Sequence, residues 1–333
     1  DGDKIRFRQG TPEKIGGWQQ ISTSTFEGVC RSLHNWVTLG GQNLIGVGTH
    51  LKFYIENIGT YFDVSPLRAT VSLSNPFTTV SGSAVVTVTD ANGGYQDGDY
   101  VTFSNASAVG GLTIDGEFVV SLSVTTTAGT FTITAASNAS SSATGGGTVS
   151  AAYQINVGNP FAVPITGWGA ATWGQGTWGV GESSTTAIRF WSQSNFGEDL
   201  VFGNDGGSIY YWDATDGVST RAVELSTLSG ASDVPVVQNL ILVSDISRFV
   251  FCFGTNAIGS SSIDPTLLRW SDQEDAANWT PSATNQAGSL RLSRGTKIVA
   301  ASQARQEILV WTDSSLYSLQ YVGAPAVWAA TLV

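Results

Sequence analysis

Methionine is absent from this chain, even at position 1, so a mature or trimmed N-terminus is expected. Cysteine is scarce: Cys30 and Cys252 lie far apart, too few for a disulfide framework. Cys252, between Phe251 and Phe253, reads as a small core residue. The two histidines, His34 and His50, have no cysteine at ligand spacing, which argues against a zinc site. Charged residues make up only 12% of the chain, low for a soluble domain. From Ala69 to Ile188 there is no Lys or Arg, only six carboxylates. Long helical patterns are missing. The stretch from Ser271 to Ile298 is the place to look, and Pro281, Gly288 and Gly295 break it. No apolar run is long enough to span a membrane and no signal peptide is visible. The net charge of −11 argues against general nucleic-acid binding through phosphates, though not against a weakly repulsive passage for DNA.

What the chain does hold is β-forming residues and turns. Glycine reaches 39 and tryptophan 11, alongside abundant Val, Thr and Ser. One pattern recurs four times: a polar residue, an apolar run, a polar turn, a second apolar run. Its copies begin at Asn43, Asp199, Asn239 and Glu307. The last three reach a turn Asp after six residues. The first is one longer, and Gly46 is expected to form a bulge there. A hairpin that cannot bury its own apolar face must stack on copies of itself, so an all-β fold with a β-propeller-like repeat is expected. The apolar end, Val327 to Val333, leads to the expectation that the repeat continues in a longer protein.

The shift in composition divides the chain. Residues 1–67 form a first part of the propeller-like domain. Residues 68–160 form an inserted small β-sandwich or barrel, with strands expected at 84–89, 100–103, 117–120, 130–134 and 148–155 and a small-residue turn at 137–147. Residues 161–333 continue the repeat domain. Within them Trp168, Trp173 and Trp178 recur every five residues with a glycine after each. Five fits neither a strand nor a helix, so a glycine-hinged loop is expected. Its indoles are interaction candidates, more in keeping with packing inside or between subunits than with sugar stacking.

Candidate chemistry is sparse. Ser271 to Trp279 resembles the Asp-box turn between propeller strands, with the usual glycine missing and one residue too many. That turn is structural: its Asp caps backbone N–H groups and its Trp packs below. Asp272, Glu274 and Asp275 could supply the two carboxylates that glycoside hydrolysis needs, but solvated loop acids are the commoner case. Asp97, Asp99, Asp115 and Glu117 could collect Ca²⁺, but they lack a ligand loop's spacing, and turn chemistry accounts for the Asp-Gly pairs. No nucleophile triad or phosphate-cradling loop is found.

Specific residues carry a family resemblance. Asp1-Gly-Asp-Lys-Ile-Arg-Phe-Arg-Gln-Gly-Thr-Pro-Glu-Lys-Ile-Gly-Gly-Trp18 resembles the opening of the tail nozzle (tail tubular, or stabilisation) proteins of short-tailed bacteriophages. So do Gly48-Thr with Leu51-Lys-Phe-Tyr54, Asp63-Val-Ser-Pro66, the Gly-Trp-Gly loop, Glu198-Asp, and Tyr210-Tyr-Trp-Asp213. Most specific is the end, from Arg269-Trp-Ser-Asp272 through Gln306-Glu-Ile-Leu-Val-Trp311 to Gln320-Tyr-Val-Gly323. The resemblance covers residues 1–67 and 160–333. It implies a structural virion protein, assembled in the host cytoplasm, that forms a homohexameric ring below the tail adaptor ring. DNA leaves through that ring without specific binding, and tail fibres or tailspikes are further candidate partners. It implies no cofactor, metal, membrane anchor or catalytic residue, hence a chain that is not an enzyme. The alternative is a carbohydrate-binding or glycan-hydrolysing propeller, or an adhesin module.

Overall fold

The computed structural model describes residues 5–14, 23–91, 95–122, 129–157, 190–245 and 247–333. Among them the only helical elements are two single-turn 3-10 helices, Ala214–Asp216 and Leu225–Thr227, and everything else regular is strand. A hairpin, β1 (Ile5–Arg8) with β2 (Thr11–Lys14), comes first. The strands β3 (Cys30–Val37), β4 (Asn43–Thr49), β5 (Phe53–Asn57) and β6 (Thr60–Asp63) then form a four-stranded antiparallel meander in chain order.

Eight strands follow in two sheets: β7 (Leu67–Ser74), β8 (Phe77–Thr79), β9 (Val85–Thr89), β10 (Tyr100–Ser104), β11 (Gly116–Val119), β12 (Thr130–Thr134), β13 (Ala143–Gly145) and β14 (Thr148–Gln154). One sheet runs β11-β10-β14-β7 and the other β12-β9-β8-β13. Alternate residues of both point inward: Val101, Phe103, Val149 and Tyr153 from the first, Phe77, Val86, Val88, Phe131 and Ile133 from the second. These side chains share one buried core, which makes the pair a sandwich.

Three further meanders complete the chain. They are β15 (Trp191–Phe196), β16 (Asp199–Asn204), β17 (Tyr210–Trp212) and β18 (Val223–Glu224); β19 (Leu240–Val243), β20 (Val250–Asn256), β21 (Ile263–Trp270) and β22 (Gly288–Arg291); and β23 (Ile298–Gln303), β24 (Ile308–Thr312), β25 (Leu316–Gly323) and β26 (Val327–Leu332). With β3–β6 they make four blades of propeller type. Their first strands pack in succession, β3 on β15, β15 on β19, β19 on β23.

Alternation explains how one sheet serves two neighbours, since successive side chains leave opposite faces of a strand. In the second blade, Leu200 and Phe202 join Phe53, Ile55 and Trp36 in a core with the first blade. Val201, between them, joins Ile241, Val243 and Cys252 in a core with the third. Phe249, just before β20, and Phe251 and Phe253 within it meet Val310, Leu319 and Trp328 of the fourth blade, while Val250 and Cys252 face back to the second. The aromatic contacts are close: Phe53 stacks on Phe202 at 3.9 Å and Phe251 meets Trp328 edge-on at 4.9 Å. Each such pair adds about 0.5–1.5 kcal/mol beyond its buried area.

Gly46 forms no bulge. It pairs in register with His34 on one side and Ile55 on the other, and the irregularity in this sheet lies at Cys30 to Ser32. Its glycine answers a different need: a Cβ there would sit 2.1 Å from Gln193 Oε1 of the next blade. Gly48 does the same beneath Trp191. The recurring hairpin also shifts by one strand. It falls on the second and third strands of blades one, two and four, and on the first and second strands of blade three.

Candidate functional site

The residues singled out in the sequence are scattered. Trp168, Trp173 and Trp178 lie outside the described residues. His34 Nε2 bonds Asn195 Oδ1 at 3.2 Å across the first two blades, and its ring stacks on Trp36. His50 Nδ1 accepts from the Val29 N–H at 2.9 Å; burial and the nearby Arg31 charge hold its pKa below the usual value. The four acids of the sandwich do separate work. Asp97 Oδ1 accepts from the Leu122 N–H, Asp115 Oδ1 from the Ala106 N–H, and Asp99 pairs with Arg68 at 3.0 Å. Glu117 joins the cluster around Lys52 described below.

Asp272 and Glu274 do come together, in a polar cavity of about 430 Å³ on the third blade. Gln273, Thr284, Asn285 and Gln286 complete its lining. The turn that carries them is pinned from beneath. Trp279 is fully buried, donates from Nε1 to Ala276 O at 2.7 Å, and stands 6.0 Å from the buried Arg269 guanidinium. Asp272 Oδ1 accepts from the backbone N–H of both Gln273 and Gln286, each at 2.8 Å. Asp275 Oδ1 accepts from the Ala277 N–H. Two of the three candidate carboxylates therefore shape the loop, as an Asp-box-like turn requires, and the exposed Glu274 faces the cavity.

Gln286 is held at every polar group. Besides its N–H on Asp272, its carbonyl accepts from Trp270 Nε1 at 2.8 Å. Its side chain donates to Gln273 Oε1 and accepts from the Tyr321 hydroxyl, both at 2.9 Å. Tyr321 is 44% exposed, yet Phe249 and Trp328 brace its ring at 6.0 and 5.5 Å. Sequence reading missed Gln273, Asn285, Gln286 and Tyr321. The run of amides just after a buried-Trp turn was the available signal; Tyr321, 35 residues on, gave none.

A second cluster joins three elements. Lys52, at the turn after β4, has a side chain only 6% exposed. Its Nζ lies 3.1 Å from Asp63, 2.5 Å from Glu117 of the sandwich and 3.8 Å from Glu27, and 4.8 Å from the Tyr100 ring centre. Arg221 of the second blade reaches Asp63 Oδ2 at 3.2 Å and Ser65 O at 2.7 Å. Burial would lower the Lys52 pKa, but its bond to Glu117 and the Asp63 and Glu117 charges outweigh this and raise it. Burial would raise Asp63, but Arg221, Ser65 and Lys52 together hold it below the usual value. Burial also pushes the nearby Tyr54 up to about 12. The cluster clasps the sandwich to the first two blades.

No family model and no curated protein matches the chain. Among solved structures, it is similar to one titled phage phi92 endosialidase, with 14% identity and a TM-score of 0.24. The match covers 93% of this chain, which spans about half (48%) of that one. At that score the likeness assigns this chain neither a fold nor an activity. It does correct one expectation: a protein found by comparison is by its title an enzyme, so the view that this chain is not an enzyme is withdrawn.

Proposed function

We propose that the chain is a bacteriophage tail component whose blades form a wall segment of the nozzle ring, with six copies closing a channel for DNA. One observation carries this. The end faces of the four-blade row bear the same kind of side chains that fill the interfaces within it. By strand alternation Leu33 and Val37 on the first blade, 67% and 56% exposed, point away from the second. On the fourth, Leu309 and Trp311 alternate with Ile308 and Val310, which face the third, and so point outward, half-buried. A repeat packed through alternate faces leaves an unmatched face at each end, and copies of the chain can cover them. The adaptor ring and the fibres or tailspikes are the further partners of this proposal, and residues 68–160 are its inserted domain. Electron microscopy of the purified chain tests it. Sixfold ring-shaped particles support the proposal, and isolated monomers at every concentration overturn it.

A second reading has the blade-three cavity in its favour: a glycan-engaging tail propeller. Amide side chains offer paired donors and acceptors, and an exposed, braced tyrosine stands beside them. A glycan array on the purified chain tests it directly.

A further inference from the structure

We propose that the cavity lined by Asp272, Gln273, Glu274, Asn285 and Gln286 binds a neutral glycan, excludes sialylated ones, and uses Tyr321 as the surface on which a sugar ring stacks. The inference deepens the glycan-engaging reading above and is independent of ring formation.

Three features of the site carry it. The first is size and lining. A volume of about 430 Å³ lies within the ordinary range for small-ligand sites, and its walls are amides and carboxylates around a wide mouth. Amides present a donor and an acceptor side by side, which matches the neighbouring hydroxyls of a sugar.

The second is preorganisation. Gln286 is fixed through its N–H, its carbonyl and both side-chain polar atoms. Asn285 is fixed likewise: Nδ2 donates to Thr280 O at 2.7 Å and Oδ1 accepts from the Ser282 N–H at 2.8 Å. Half-buried loop amides held this firmly lose little further freedom when a ligand arrives. Tyr321 is equally constrained, with the Phe249 and Trp328 rings 6.0 and 5.5 Å away and Gln286 on its hydroxyl. Nearly half of it still meets solvent.

The third is charge. Asp272 and Glu274 line the cavity and no Lys or Arg is among the lining residues. Carboxylate recognition calls for a cation, best an Arg fork. Here a sialic acid would set its own carboxylate against two others, a like-charge clash that weakens its binding relative to a neutral sugar. The Glu274 carboxylate instead suits a hydroxyl or N-acetyl N–H as donor.

The test is a binding titration of the purified chain by saturation-transfer NMR and calorimetry. The probes are neutral hexose and N-acetylhexosamine oligomers, with oligosialic acid as the charged comparison. At least one neutral probe should bind in the millimolar range or tighter, and oligosialic acid at least tenfold more weakly. Gln286→Ala and Tyr321→Ala should each weaken the neutral probe tenfold or more. Tyr321→Phe, which keeps the ring and the fold, should weaken it less than fivefold. Glu274→Gln should narrow the gap between neutral and sialylated probes. Preferential binding of oligosialic acid would overturn the proposal, as would the absence of binding by any neutral probe, or neutral binding that survives Tyr321→Ala in a chain that still melts as the wild type does. Ring formation by the same samples is read separately, so the loss of one conclusion leaves the other standing.

Discussion

Replacing Gly48 by alanine should drive a methyl group into the indole of Trp191. The Cβ of an alanine there would stand 2.4 Å from Trp191 Cδ1, 2.6 Å from Cγ and 2.9 Å from Cβ. The obstacle is the root of the side chain rather than its tip, so rotation cannot clear it. Nor can the indole retreat: Phe53 and Phe202 lie 5.1 and 5.9 Å from its ring, and its Nε1 donates to Thr49 O at 2.6 Å. Overpacking of this kind costs about 1–3 kcal/mol. Losing the indole hydrogen bond adds about 1 kcal/mol. The neighbouring Gly46→Ala is the control. Its obstacle is Gln193 Oε1 at 2.1 Å, the far end of a flexible side chain, with the next atoms beyond 3.2 Å. Swinging that amide away gives up its bond to Ser32 Oγ, worth about 0.5–1.5 kcal/mol. Urea unfolding followed by tryptophan fluorescence should therefore place Gly48→Ala below Gly46→Ala, and both below wild type. In a double-mutant cycle with Trp191→Leu, the Gly48→Ala cost should shrink by about 1 kcal/mol or more. If Gly48→Ala unfolds with the wild type, or later than Gly46→Ala, the close approach of the first two blades at this point is refuted.

Other consequences can be measured on the same protein. Lys52→Met strips a buried cation from three carboxylates and should cost about 3–5 kcal/mol of stability by urea titration. Because Asp63 titrates below its ordinary 3.8, its contribution is present above that value and is lost as pH falls through the lower folded value. Melting curves should therefore weaken below about pH 4, and Asp63→Asn should flatten that limb. Lys52 is raised above 10.5, so its share persists below that value and fades only as pH climbs past the folded value. Burial pushes the Cys252 thiol far up, so a thiol-titration reagent should leave it unmodified in the native protein and reach it on unfolding. Residues 66–157, expressed alone, should unfold cooperatively, since their two sheets share a core of their own; a non-cooperative melt would count against the inserted-domain proposal.

The blades were legible because each hairpin is apolar on both faces, as at Leu200 to Phe202 and Phe249 to Phe253, and a run of that kind has to be buried twice. Alternation alone does not say which hairpin of a blade a given run occupies, so the copy at Asn239 was aligned one strand away from the others. In the sandwich, β9, β10, β12 and β14 fell where Val, Phe, Tyr and Ile alternate with small polar residues. The strands β7, β8 and β13 escaped notice. Thr and Ser are frequent in β7 and β8, and β13 lies inside the small-residue stretch read as a turn. The Asp-box-like turn was read from Asp272 and Trp279, whose roles are local. The cavity and the Lys52 clasp were not, because Tyr321 and Glu117 reach them from 35 and 65 residues away.

The outward faces of the end blades offer the most direct test of the wall-segment account. Sedimentation velocity of the wild-type chain at micromolar concentration should show a closed oligomer, while Leu33→Asp and Trp311→Asp, each native by circular dichroism, should sediment as monomers. Identical sedimentation of all three would contradict it, whether as three monomers or as three oligomers.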